Sequence, residues 1–77
     1  MSLPLLHHRD VMKALEKAGF TIVGGKRNHI RMKKPRMSVS DKVRIDIIPL
    51  HGQIAKGTLR SIIDQAGVSV EEFLKLL

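Results

Sequence analysis

Three strand-like runs fall between Thr21 and Pro49, and the segments separating them are too short to hold a helix. That feature restricts the fold more than any other. Parallel neighbours need a crossover of a dozen or more residues, whereas antiparallel neighbours need only a turn. The runs cover residues 21–23, 28–34 and 42–48. Gly24-Gly25 predicts the first turn and residues 36–41 a polar loop. Pro35 and Pro49 stop the second and third runs, because proline has no N–H to give to a ladder. A three-stranded antiparallel meander is expected.

Helical patterns flank the meander. Residues 1–6 read as an extended lead-in, since Pro4 disfavours helix before it. Over residues 8–18, Val11, Ala14, Leu15 and Ala18 repeat at the spacing of one buried stripe, and Gly19 supplies a stop. His7 and His8 read as helix-entry residues and not as metal ligands. Over residues 55–66, Leu59, Ile62, Ile63 and Ala66 make a second stripe, and Gly67 ends it. Ile54 offers no cap to that helix. Ser69 with Glu72 forms a capping box, with Val68 and Phe73 as the matching staple, so a last helix starts at Val70. The fold class expected is α+β in two layers, with the helices covering one face of the sheet. A chain of 77 residues with no linker or repeat reads as one domain over residues 1–77.

The charge is uneven. The formal net charge is +7, and residues 26–44 hold eight basic side chains (Lys26, Arg27, Arg31, Lys33, Lys34, Arg36, Lys42, Arg44) against one acid, Asp41. The remainder has six basic and six acidic residues, so the whole excess lies in one segment. A local basic patch on a neutral body is the footprint of a polyanion binder. Strand alternation sets His29, Arg31 and Lys33 on one face and Ile30 and Met32 on the other. In the third strand Val43, Ile45 and Ile47 are expected inside, with Arg44 and Asp46 outside. The outer face would then join an imidazole, which exchanges protons near neutral pH, to fixed positive charges. That suits a phosphodiester. The plainer reading is a surface histidine on a solvated face. Lys56-Gly57-Thr58 opens the second helix, where free N–H groups could hold a phosphate. Lys56 and Arg60 share a helix face.

Several classes drop out. Cysteine is absent, which removes disulfides and thiolate ligands and makes an intracellular, cytoplasmic home the expectation. No run approaches the roughly 18 apolar residues of a membrane span, and 3–6 is too short for a signal-peptide core.

The pieces together resemble HicA toxins. Ala18-Gly19-Phe20 ends the first helix, Gly25 to His29 leads into the basic strand, Pro49-Leu50-His51 ends the third, Lys56 to Ile62 opens a helix, and Gln65 to Ser69 closes it. Glu72-Phe73-Leu74 fits the family's tail. The resemblance covers nearly the whole chain. It implies an α-β-β-β-α fold like a double-stranded-RNA-binding domain. It also implies an mRNA interferase partnered by a HicB-like antitoxin, working without metal or cofactor. His29 takes the place of the family's site histidine, while Arg27-Asn28 stand where the family has Gly-Ser. The expected catalytic residue is therefore His29. The expected RNA contacts are Lys26, Arg27, Arg31, Lys33, Arg44, His51 and Lys56. For His51, capping or packing beside the second helix stands as an equal alternative.

Three rival readings remain open on the residues. A non-catalytic RNA-binding module would use the same charges, since duplex RNA is recognised by shape and phosphate. A helix-turn-helix over residues 59–77 is disfavoured by Glu71 and Glu72 at the start of its second helix, which repel phosphate. A protein-interaction partner with a basic docking face is the third.

Overall fold

The computed structural model describes residues 2–77; Met1, the first residue of the expected lead-in, lies outside them. In chain order the elements are β1 (Leu6–His7), α1 (His8–Lys17), β2 (Thr21–Lys26), β3 (His29–Lys34), β4 (Arg44–Pro49), β5 (Gln53–Ile54), α2 (Lys56–Ala66) and α3 (Val70–Lys75). Strands β2, β3 and β4 form an antiparallel sheet in that order, and β1 and β5 pair as a separate short ribbon. The α+β layout agrees with the expected α-β-β-β-α order. The ribbon does not appear in the sequence pattern, because two-residue strands carry no period. It takes Leu6 from the lead-in and Gln53-Ile54 from the expected connection.

The helices lie on one face. Val11, Ala14 and Leu15 of α1 and Leu59, Ile62, Ile63 and Ala66 of α2 are buried, as their stripes require. Phe20 and Phe73 join them with Met32 and Ile48 from the sheet. Burying a side chain of this size contributes about 1.5–3 kcal/mol.

Capping chemistry fixes the helix ends. His7 caps α1, its Nδ1 accepting from the Arg9 N–H at 3.2 Å, and Asp10 returns the bond by accepting from the His7 N–H. Burial, and the neighbouring charges of His8 and Arg9, hold the His7 imidazole below its usual range, which keeps this nitrogen an acceptor. The expected Ser69–Glu72 capping box is present, with bonds of 3.0 and 3.1 Å. A cap of this kind is worth about 1 kcal/mol. The α2 N-cap is Ala55, without a side-chain bond, one residue on from the poor cap expected at Ile54.

Two expectations fail in the sheet. Gly24-Gly25 is not a turn; both glycines lie inside β2, and the turn is Arg27-Asn28, because Lys26 pairs with His29. Gly25 is needed for close approach: a Cβ there would sit 2.7 Å from the His29 carbonyl oxygen. The register slips between Ile22 and Gly24, leaving Val23 as a bulge. The larger correction concerns β4. Its pairs with β3 are His29–Pro49, Ile30–Ile48, Arg31–Ile47, Met32–Asp46, Lys33–Ile45 and Lys34–Arg44. Directly paired residues share a face. Asp46 and Ile48 therefore point toward the helices and are buried, while Ile45 and Ile47 point outward. The expected parity of this strand is reversed.

Candidate nucleic-acid interface

The uncovered face of the sheet is built on β3. Ile30 and Met32 anchor the strand to the core, and Met32 is fully buried. Alternation then forces His29, Arg31 and Lys33 outward. Arg31 and Lys33 are exposed and His29 is partly covered. The residues directly across the ladder are Lys26, Gly24 and Thr21 on β2, and Pro49, Ile47 and Ile45 on β4. None is acidic, so no carboxylate lies directly opposite the stripe on either side.

Around His29 the surface is concave. Gly25, Lys26, His29, Arg31 and Ile47 line a depression of about 220 Å³. Arg31 lies back over β2, where a Cβ on Gly24 would be 3.6 Å from a guanidinium nitrogen. The depression thus combines an imidazole, an ammonium and a guanidinium over a glycine floor and an aliphatic wall. It can hold an anion and move a proton beside it. Gly25 and Ile47 were not expected to line a site. Only the true register of β4, which residue pattern does not encode, brings Ile47 there.

The other expected contacts are distributed differently. Arg27 is exposed in the turn beside His29. Lys56 is exposed at the first position of α2, a helix packed on the covered face, and is not part of the β3 stripe. Arg44 is a correction. It pairs with Lys34 on the helix side, and its guanidinium reaches the C-terminus of α2, donating to the Gln65 carbonyl at 3.4 Å. A Cβ on Gly67 would collide with it. There a cation complements the helix dipole, which accounts for Arg44 better than RNA contact does. Asp46, also expected outside, is only 3% exposed, and its Oδ2 has no hydrogen-bond partner. Burial pushes its carboxyl up to about 7, against the opposing effect of the Ile47 N–H.

His51 is exposed and lies two residues beyond the end of β4. Its exposure goes against the alternative in which it packs beside α2. The Leu50 N–H donates to the Asn28 carbonyl at 2.8 Å, so this segment lies at the His29 end of the sheet. His7 and His8 are helix-entry residues as expected. Among the described residues no group of three or more His, Asp or Glu side chains is placed to hold a metal ion.

The model of the HicA toxin of bacterial toxin–antitoxin systems matches residues 8–68, from the first residue of α1 to just past α2. The chain belongs to the HicA toxin family. The matched span takes in the whole β3 stripe and the His51 segment of this HicA-family toxin. No curated protein matches it. Among the described residues no helix is long and apolar enough to cross a membrane.

Proposed function

We propose that this HicA-family toxin is an endoribonuclease that cleaves mRNA without a metal, with His29 as general acid or base. The observation that carries the reading is the His29–Arg31–Lys33 stripe on the one sheet face that no helix covers. RNA brings its own nucleophile, the 2′-OH, so the protein needs only to hold the phosphate and move protons. Arg31, Lys33 and Lys26 would bind the phosphate and stabilise charge as it develops. His29 would take or give the proton, a contribution typically worth about 10²- to 10⁴-fold. The products would be a 2′,3′-cyclic phosphate and a 5′-hydroxyl. Arg27 would add a phosphate contact from the turn, and Lys56 a peripheral one.

The cellular partner would be a HicB-like antitoxin that covers the β3 face. A bare cationic stripe with no acidic neighbour is what an acidic surface would neutralise. In the complex, RNA cleavage should disappear and amide exchange along β3 should slow. A complex that leaves β3 exchanging freely would mean inhibition from elsewhere.

The test compares purified wild type with His29→Ala on single-stranded RNA in EDTA. Wild type should cleave and the variant should not, with both folded. Equal cleavage by the two removes His29 from the chemistry. RNA binding without cleavage by either favours a binding module. The helix-turn-helix alternative loses further ground, since α3 has six residues and Glu72 is committed to its cap.

A further inference from the structure

We infer that His51 is the second proton-transfer group of the site, the general acid that protonates the leaving 5′-oxygen. This rests on the ribonuclease reading above and completes it, since His29 alone accounts for only one of the two proton transfers.

The backbone around His51 is held on both sides. On its N-terminal side, the Leu50 N–H bonds the Asn28 carbonyl at 2.8 Å. On its C-terminal side, the Gly52 N–H bonds His8 Nδ1 at 3.1 Å, and the His8 N–H bonds the Gly52 carbonyl at 2.8 Å. Gly52 makes this possible with a φ of +87°, which a side chain would resist. Gln53 and Ile54 then pair with β1. The backbone around His51 is therefore clamped to two elements, the β2–β3 turn before it and the start of α1 after it. Its imidazole is nonetheless exposed. Surface loops are ordinarily more mobile than the elements they connect, so a backbone tied down on both sides holds this side chain in place.

The clamp sets the location. Pro49 is the cross-strand partner of His29, and His51 lies two residues further along. Paired Cα atoms are about 5 Å apart and successive ones 3.8 Å, so the His29 and His51 Cα atoms are at most about 13 Å apart. Two imidazoles at that spacing can flank one phosphodiester. His29 sits in the depression with Lys26 and Arg31, whereas His51 stands outside its lining, in the exposed segment beyond the end of β4.

The step balances. His29 accepts the 2′-OH proton as the O2′–P bond forms. The P–O5′ bond breaks, and the His51 imidazolium gives its proton to O5′. One proton has moved from O2′ to O5′, and the two imidazoles exchange protonation states and reset through water. No oxidant, reductant or further reactant is needed.

The experiment uses the full chain and two versions of a single-stranded RNA that wild type cleaves. They are identical except that sulfur replaces the bridging O5′ at the cleaved linkage. A thiolate leaves without a proton, so it does not need the acid. His51→Ala should cleave the oxygen substrate about 10²- to 10⁴-fold more slowly than wild type, and the sulfur substrate within about tenfold of wild type. His29→Ala should be slow on both. The alkaline fall in the wild-type pH–rate profile should vanish in His51→Ala. His51→Gln, which keeps a polar side chain of similar reach, should behave as His51→Ala does. Full activity of His51→Ala on the oxygen substrate overturns the assignment. So does equal slowness on both substrates, which would show a structural role, or sulfur rescue of His29→Ala in its place. A wild type that cleaves no RNA overturns the ribonuclease reading and this assignment with it.

Discussion

The two faces of the sheet are made from the same strands and follow opposite rules. On the covered face, Met32 and Ile48 are fully buried, and Asp46, the one buried charged side chain among the described residues, lacks a partner for Oδ2. On the open face, Arg31 and Lys33 stand in water, Arg31 between Gly24 and Ile47 and Lys33 between Thr21 and Ile45. The covered face carries stability, and a buried carboxylate there is a cost. The open face contributes little to stability and is left free for chemistry. Adjacent residues of one strand should therefore respond to mutation in unrelated ways.

The largest effect expected from that contrast is between His29 and Met32, three residues apart. His29→Ala should abolish RNA cleavage, about 10²- to 10⁴-fold, and leave the melting transition nearly unchanged. Met32→Ala should cost about 2–5 kcal/mol by opening a cavity, with any activity loss following the loss of folded protein. Denaturant titration beside a cleavage assay separates the two. Comparable destabilisation by both variants would erase the division of labour.

Asp46 tests the covered face alone. The folded protein holds its proton up to about pH 7, while an ordinary aspartate releases it near 3.8. Between those values the folded chain binds more protons than the unfolded one, so stability should fall as pH rises through that window and level off above it. Asp46→Asn should remove this slope and raise stability at pH 8 by on the order of 1–3 kcal/mol. Thermal melts across pH 4–8 would read it. An unchanged slope in the variant would mean that Asp46 is ionised in the folded protein.

The open face is tested by salt. Arg31→Ala with Lys33→Ala should weaken RNA binding and flatten the dependence of affinity on salt by about two counterions or fewer. An unchanged slope would place the RNA elsewhere. The smallest expected effect belongs to Arg44. Arg44→Ala should leave RNA affinity within error and cost about 0.3–1 kcal/mol, from its contact with the α2 terminus. A clear drop in RNA affinity would return Arg44 to the interface.

The helices and the central strand were legible because their signals are redundant. Stripes, glycine stops and the Ser69–Glu72 box agree in α1, α2 and α3, and β3 has a hydrophobic pair that can face only one way. β4 was misread because its clearest alternation, Val43-Ile45-Ile47, belongs to the open side. The side it buries is represented by Arg44, Asp46 and Ile48, two of them charged. Pattern assigns the more apolar set to the core, whereas the pairing of Ile30 with Ile48 decides the matter and is a tertiary fact. The β2–β3 turn was misplaced for a related reason. Gly24-Gly25 is the strongest local turn signal in the segment, yet Gly25 serves the close approach of the His29 carbonyl. The positions of His29 and its basic neighbours survived both errors, because they depend on β3 alone.

The β1–β5 ribbon has a consequence for the order in which the molecule assembles. It joins Leu6 to Ile54, closing residues 6–54 into a loop for only two residue pairs. Such a closure is entropically unfavourable until the intervening meander and α1 have shortened the path. The ribbon should then be among the last pieces to lock during folding and the first to open. Gly52 and His8 lie next to it, so the segment carrying His51 shares its fate. A nascent or partly unfolded chain would already display the basic strand, while His51 would still be adrift.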